Sequence, residues 1–320
     1  MSKSQAIQLL LCGSAALTLG ACGGGGGSVA STPPAPLTPT PTPSPTPTGP
    51  PPLPPGPIGL QTDGPFTTTA ASVRSNGEVA TGADLVQFSY SPSTDRYTIT
   101  LPEFETGQLV TQGGIGLTHP VTNEWVNLIS TYNQVTAAST SSVQAVSVSL
   151  PWPGSTTSPY TGYKYTAIGQ WSKPDHYSHT GVFAYGIPTI AGDVPLSGSA
   201  SYSGAVAGAT VQHGLVGGSV SLAFDFGAGT LSGVMKPMVA PSWDSYPLGD
   251  YTFRDTVFAK GATSFSGAFA VPGSTAPSSF QGSFTGPQAA ELMASWTAPF
   301  LNPENQKWET MFGVWIAKRQ

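Results

Sequence analysis

The stretch from Gly218 to Gly233, GSVSLAFDFGAGTLSG, restricts the fold of this chain more than any other. Between residues 219 and 226, small or polar residues alternate with large apolar ones, and this period of two is typical of a strand with one buried face. Gly227-Ala228-Gly229 then tolerates a tight reversal, and Thr230 begins a returning strand. The stretch therefore predicts a β-hairpin, with Asp225 on its outer face serving solubility or the turn.

The composition points the same way. Charged residues make up 8% of the 320 residues, against about 25% in an average globular protein. Ser, Thr, Gly and Pro take their place, which favours strands and turns over surface helices. We therefore predict an all-β fold. The net charge is −5, and the few basic residues are scattered, so nucleic acid is not expected as a partner.

The first 21 residues predict a signal peptide, since Lys3 precedes an apolar run over 6–19 that is too short to span a membrane. Leu19-Gly20-Ala21-Cys22 resembles the lipobox of bacterial lipoproteins. That resemblance implies cleavage between Ala21 and Cys22 and lipid attached to Cys22, which would anchor the protein in a membrane. An ordinary signal peptide is the alternative. Gly23 stands where Asp would signal inner-membrane retention, so the outer membrane is expected.

Residues 22–57 predict a lipidated, disordered linker. An oligoglycine run over 23–27 is flexible, and the Pro/Thr-rich tract that follows favours an extended polyproline II stalk. The oligoglycine also resembles the start of lipoproteins exported by the surface lipoprotein assembly modulator, which implies exposure at the cell surface. Cys12 leaves with the signal peptide, so the mature chain is expected to have no disulfide.

Two folded regions are predicted after the linker. In residues 58–195, a hairpin over 85–101 and strands over 143–150 and 163–171 indicate a small β-rich domain, while 107–133 is difficult to assign. In residues 196–320, the opening hairpin is followed by strands at 251–258, 264–271, 279–284 and 311–318.

The Phe-x-Gly alternation of the second region suits a small closed barrel, so we predict an eight-stranded antiparallel β-barrel. Phe312, Val314 and Ile316 are expected to point into its interior. A transmembrane barrel is the competing hypothesis. It is not favoured, because the predicted strands are mostly shorter than the ~9–11 residues that a membrane-crossing strand needs.

Several motifs of residues 196–320 resemble the β-barrel domain of transferrin-binding protein B-like lipoproteins. They are Tyr202-Ser203-Gly204, the hairpin from Phe224 to Gly233, Phe265-Ser266-Gly267, Phe280 to Phe284, Gly286 to Glu291 and the terminal Phe312 to Arg319. Leu292-Met293-Ala294 departs from the family, which usually has small residues there. The resemblance implies that residues 58–195 are a handle-like domain.

The same resemblance implies a function. Such a surface lipoprotein captures an iron, haem or cofactor carrier for uptake through a TonB-dependent transporter, and it is not an enzyme. The matching motifs are scaffold residues, so no ligand-contacting residue is carried over. A structural or adhesive surface protein is an alternative that the stalk would equally suit.

Candidate ligand-binding residues come from composition. Trp243 and Tyr246 lie in a Pro-rich connection between barrel strands, and Trp152 and Tyr160 in the first region are similar. Aromatic side chains of this kind are common in binding surfaces. The alternative is that these rings cover the barrel mouth or the domain junction.

The histidine pair offers another hypothesis. His176 and His179, in the sequence HYSH, are candidate ligands of a metal or of haem iron, although solvated loop histidines would look the same. A direct haem carrier would require a histidine or tyrosine pocket between the two domains. No cofactor is otherwise expected. The chain has no activated-serine, zinc-protease or phosphate-loop motif, so no catalytic residue is predicted.

Overall fold

A computed structural model describes residues 62–73, 77–83, 85–93, 96–101, 107–110, 125–132, 144–151, 160, 162–172, 180–212, 214–240 and 244–320. All of them lie in one compact unit, Pro50–Gln320. Strands dominate, and the described residues form only one short 3₁₀ helix, Pro287–Ala289. The predicted all-β fold is confirmed. None of the described segments contains a helix long and apolar enough to cross a membrane.

The first half of the described chain forms two antiparallel sheets. One has the strand order β1-β4-β5-β6 and the other has the order β3-β2-β10-β9-β8-β7. Their strands are β1 Gly64–Pro65, β2 Thr67–Val73, β3 Val79–Gly82, β4 Gln87–Ser91, β5 Arg96–Thr100, β6 Gly107–Val110, β7 Trp125–Tyr132, β8 Gln144–Pro151, β9 Thr166–Ser172 and β10 Thr180–Gly186.

The two sheets pack face to face because alternate side chains of each strand point to the same face and are apolar there. In β10, Phe183 and Tyr185 join Phe88 and Tyr97 in a core between the sheets, with the rings of Phe88 and Tyr185 4.6 Å apart. The intervening side chains of β10 point to the opposite face of the six-stranded sheet. The predicted hairpin over 85–101 is confirmed as the β4–β5 pair.

The second half forms a closed barrel. Eight strands pair with their sequence neighbours, and β11 pairs with β19 to close the ring. A two-residue strand, β14, adds to β13 outside the ring. The strands are β11 Ser199–Thr210, β12 Leu215–Asp225, β13 Thr230–Ala240, β14 Tyr246–Pro247, β15 Tyr251–Val257, β16 Ser264–Ala270, β17 Ser279–Thr285, β18 Glu291–Leu301 and β19 Trp308–Arg319.

The hairpin of β12 and β13 is the one that the sequence predicts. Leu222 lies opposite Gly233 and Asp225 opposite Thr230. Gly229 takes a φ of 67° in the turn, a value that glycine adopts without a steric penalty. The Asp225 carboxylate accepts the N–H of Ala228 at 2.8 Å, so this acid stabilises the turn.

The predicted direction of the last strand is wrong. Phe312, Val314 and Ile316 are fully buried, but they point outward from the barrel and pack against β2, β9 and β10. Trp315 and Ala317 occupy the interior instead. Both faces of β19 are apolar, so alternation alone does not reveal which face is inside.

The expected strand length is also wrong. Five of the eight barrel strands have 11 or 12 residues. Small residues and Pro237 within these strands hide their true extent in the sequence. Ser219, Ser221 and Asp225 on the outward face of β12 are exposed and polar, while Val220, Leu222 and Phe224 on its inward face are buried.

Candidate functional site

The interior of the barrel is a packed core of aromatic rings. Phe224 lies 4.9 Å from Phe284, and Phe253 lies 4.5 Å from Phe280, measured between ring centroids. Trp296 and Trp315 are fully buried among them. Such a filled barrel differs from one that encloses a ligand cavity. A ligand of this protein is therefore expected to bind on an outer surface.

One end of the barrel concentrates exposed apolar side chains. We name this end the Trp308 rim, defined by the described residues 210–212, 214–215, 238–240, 244–251, 270–279 and 301–308. Seven large hydrophobic side chains are exposed among the described residues, and four of them lie at this rim. The four are Leu215 (69% exposed), Met238 (43%), Leu301 (39%) and Trp308 (46%).

The strand register places these side chains in two pairs. Leu301 lies directly opposite Trp308 at the end of the β18–β19 ladder. Leu215 lies opposite Ala240 and therefore diagonal to Met238 across β12 and β13. In both pairs the side chains leave the outer face of the barrel, because their neighbours in each strand fill the interior. Exposed apolar groups of this kind are typical of macromolecular binding surfaces.

The hairpin that carries Leu301 and Trp308 has a defined shape. The Glu309 carboxylate accepts hydrogen bonds from the side-chain amides of Asn302 at 3.0 Å and Asn305 at 2.8 Å. The Asn305 side chain in turn accepts the N–H of Lys307 at 2.9 Å. Because these bonds fix the connection 301–308 in advance, little ordering entropy would be lost on binding.

The same rim carries acidic groups. Burial, followed by the carboxylates of Asp244 and Glu304, raises the pKa of Tyr246. Asp250 forms an exposed ion pair with Lys236, with the charged atoms 3.4 Å apart. Acidic groups around an apolar patch favour a partner with complementary basic groups, which increases specificity and the rate of association.

The structure places two of the predicted binding residues. Tyr246 lies at the Trp308 rim, where it pairs with Val239 and packs, partly buried, against the barrel core. Tyr160 lies at the junction of the sheet and the barrel, and its hydroxyl donates to the Val206 carbonyl at 3.0 Å. Tyr160 therefore covers the junction between the six-stranded sheet and the barrel, which is the alternative role considered for it. The other candidates lie outside the described residues and remain predictions: Ala21, Cys22, Trp152, Trp243, His176 and His179.

The junction of the six-stranded sheet and the barrel is held by a buried carboxylate. Glu291 is 4% exposed, and its two oxygens accept the backbone N–H groups of Lys164 at 2.7 Å and Tyr165 at 3.0 Å. Burial raises the pKa of Glu291, and these donors oppose the shift. Nearby, the Tyr163 hydroxyl donates to the Ile316 carbonyl at 3.2 Å. These hydrogen bonds therefore hold the six-stranded sheet in a fixed orientation on the barrel.

Sequence reasoning missed the apolar pairs of the rim. Trp308 follows the polar stretch Asn302 to Lys307, and an aromatic residue next to such a turn was the available signal. Leu215 and Met238 gave no such signal, because each adjoins a buried valine, Val216 or Val239, and the sequence does not reveal which member of the apolar pair is outside.

Metal and haem sites find no support among the described residues. None of the described segments brings together three His, Cys, Asp or Glu side chains that could hold a metal ion. A cleft does open between the six-stranded sheet and the barrel, but its lining residues include no histidine or tyrosine. The pocket that a direct haem carrier would require is not formed there by the described residues.

The fold and the rim together define a class: a closed, filled β-barrel joined to a β-sandwich, with a preformed apolar surface at one barrel end. No protein-family model matches the chain, and no curated protein matches it. Solved structures do match, and those compared below are all transferrin-binding protein B, the family that the barrel motifs resemble.

A double mutant of transferrin-binding protein B from Haemophilus parasuis is 14% identical to this chain with a TM-score of 0.45, and the match covers 79% of this chain and 45% of that one. The isotype 1 protein from serogroup B Neisseria meningitidis is 17% identical with a TM-score of 0.43, covering 79% and 44%. Intact Ap-TbpB is 15% identical with a TM-score of 0.43, covering 79% and 46%. The chain thus spans less than half the length of the structures that it matches.

Proposed function

We propose that this protein is a lipid-anchored lipoprotein of the outer-membrane surface that captures an extracellular protein carrying iron, haem or a cofactor. One observation supports the proposal above all. The barrel interior is filled, while apolar pairs and acidic groups gather on the outside of one rim. A surface of this kind suits a protein ligand, since a small apolar ligand would need an enclosed pocket.

The anchor and the delivery step belong to the same proposal. Lipid on Cys22 would hold the protein at the membrane, and the Gly- and Pro-rich linker over 22–57 would carry the folded part away from it. Export by the surface lipoprotein assembly modulator and transfer of the nutrient to a TonB-dependent transporter complete the proposed route. Both partners are inferred from the sequence resemblance.

A binding assay tests the capture step. Iron-loaded transferrin, haemoglobin and haemin would each be titrated against the immobilised full mature chain by biolayer interferometry. We expect either transferrin or haemoglobin to bind saturably. A Leu301→Ser, Trp308→Ser double variant should bind at least about thirtyfold more weakly, because truncation of hot-spot residues typically costs 2 kcal/mol or more.

The matched control replaces two exposed apolar residues away from the rim, in an Ile190→Ser, Leu196→Ser double variant. These side chains are as exposed as those of the rim, at 66% and 56%, but they lie away from it, so their replacement should leave affinity unchanged. Equal binding by the rim variant and the wild type would refute the role of the rim. Binding of haemin alone, with neither protein bound, would favour the direct haem carrier instead.

A further inference from the structure

A cleft of about 490 Å³ opens between the six-stranded sheet and the barrel wall. Its barrel side is formed by β16 and β17, and its sheet side by the first half of β2. The lining residues are Thr67, Thr68, Thr69, Ala83, Val257, Ala259, Ala262, Ser264, Phe265, Ser266, Gln281, Gly282 and Ser283.

The polar lining of the cleft consists of hydroxyl groups and one amide. Thr68 points away from the barrel, and its hydroxyl donates to the carbonyls of Ala83 and Val86. Thr67 and Thr69, on the barrel side of β2, face two serines of β16 and one serine of β17, and Gln281 adds its amide. Each of these groups both donates and accepts hydrogen bonds. None of the described lining residues is charged, so a buried ionic group would lack a partner and its desolvation would cost free energy. The lining therefore favours an uncharged ligand with hydroxyl groups.

Two residues point to a ligand more directly. Thr69 is 3% exposed, and its hydroxyl has no hydrogen-bond partner among the described residues. A buried polar group without a partner is destabilising, so a group that supplies one is favoured. Gln281 is exposed on the barrel wall and extends toward the sheet, since a Cβ placed on Gly82 of β3 would lie 3.6 Å from its amide nitrogen.

Apolar groups lie among these polar ones. Val257 is 64% exposed, and Ala259 and Ala262 continue the apolar lining. A pyranose ring presents hydroxyl groups at its edge and C–H groups on its faces, so it matches both parts of the lining. The volume is within the range of ordinary ligand sites.

We propose that this cleft binds a neutral saccharide, either free or as the glycan of a glycoprotein. The site lies on the side wall of the barrel, among residues separate from those of the Trp308 rim. It does not depend on the capture of a nutrient carrier, and either proposal can fail while the other stands.

Calorimetric titration tests the site. Residues 22–320 with Cys22→Ser, which removes the lipid site and the need for detergent, would be titrated with glucose, galactose, mannose, N-acetylglucosamine and their disaccharides. We expect saturable binding of at least one of them. Gln281→Leu should weaken it about three- to tenfold, the effect of one lost hydrogen bond. Gln170→Leu, the same change on an exposed residue of β9 outside the cleft, should not.

Two further variants locate the ligand. Ser266→Trp should abolish binding by filling the cleft, whereas Thr69→Val removes the unpartnered hydroxyl with little change in shape and should weaken binding without loss of stability. Unchanged affinity in Ser266→Trp and Gln281→Leu would overturn the proposal, as would the absence of binding by every saccharide of the panel.

A pair of proteins distinguishes the two sources of saccharide. Ribonuclease B carries a neutral glycan, and ribonuclease A is the same polypeptide without it. Binding of ribonuclease B alone, abolished by Ser266→Trp, indicates a glycan on a protein. Binding of free saccharides with no binding of ribonuclease B indicates a soluble sugar. Equal binding of both ribonucleases would show protein contact and would count against a saccharide site.

Discussion

Glu291 shows at the level of a single residue how the sheet is attached to the barrel. Its carboxylate is removed from water and compensated by the N–H groups of Lys164 and Tyr165. Breaking a buried interaction of this kind is costly because the remaining polar groups lose their partners. Nothing in the sequence around Glu291 predicts this role, since the donors lie more than 120 residues earlier in the chain.

The raised pKa of Glu291 gives a pH-dependent prediction. The folded protein holds the Glu291 proton more tightly than the unfolded chain does, so this contribution to stability is fully present below the ordinary glutamate pKa. It is lost as pH rises through the raised folded pKa. Glu291→Gln removes the titration. The free energy of unfolding of the wild type minus that of Glu291→Gln should therefore fall as the pH rises upward from about 4, the ordinary glutamate value.

Urea unfolding of both proteins across that range measures the difference. Asp250→Asn is the control, because this carboxylate is in an exposed ion pair with Lys236, and exposed pairs contribute little to stability. A constant difference between the wild type and Glu291→Gln at every pH would contradict the prediction.

At the level of the element, β19 is a strand with two buried faces. Phe312 faces the sheet and Trp315 fills the barrel, and both are fully buried. Toward the start of the same strand, Trp308 shares the outward direction of Phe312 but is 46% exposed. The strand thus joins the structural junction to the candidate binding surface.

This difference along β19 predicts two unlike effects on stability. Phe312→Ala should lower the free energy of unfolding by about 3–5 kcal/mol, because it leaves a cavity between the sheet and the barrel. Trp308→Ala should lower it by much less, about 1 kcal/mol or less, because 46% of this side chain is already exposed. Equilibrium denaturation measures both. Similar losses in the two variants would refute the assignment of the outward face.

The close approach of β11 and β19 gives a second prediction at this level. A Cβ on Gly313 would overlap the Ala207 carbonyl and lie 2.7 Å from the Trp296 ring. Gly313→Ala should therefore destabilise the barrel by about 1–3 kcal/mol, the usual cost of overpacking.

Gly217→Ala is the matched control, since its nearest neighbour would be 4.0 Å away. Thermal or chemical unfolding that found the two glycine variants equally stable would show that the strands separate more readily than their packing indicates.

The elements differ in how well the sequence predicts them. The β12–β13 hairpin is local, and its one polar face makes both the strand and its orientation evident. β19 is predicted as a strand but with its faces exchanged, because only the packing of β2, β9 and β10 against it decides which side faces the barrel interior. The same packing explains why Leu292-Met293-Ala294 of β18 departs from the small residues usual in the family. Met293 faces the sheet and is fully buried.

At the level of the whole molecule, the candidate binding surface is assembled from distant parts of the chain. Leu215 and Met238 come from one side of the rim, and Leu301 and Trp308 come from the last hairpin. Alternation predicts that such residues lie on strands, but the exposure of Leu301 and Trp308 depends on how far along β18 and β19 the six-stranded sheet packs. The sequence therefore predicts the barrel and an aromatic connection at Tyr246, and the structure adds the apolar pairs.

Retention of a labelled carrier by intact cells tests the central claim most directly. Cells producing the wild type, Trp308→Ser or Cys22→Ser would be incubated with fluorescent iron-loaded transferrin or haemoglobin and measured by flow cytometry, with total protein quantified in parallel. We predict that wild-type cells retain one of these carriers. Cells with Trp308→Ser should display the protein but retain little carrier, and cells with Cys22→Ser should release the protein and retain none. Equal retention by wild-type and Trp308→Ser cells, or no retention of either carrier by wild-type cells, would contradict capture at this rim.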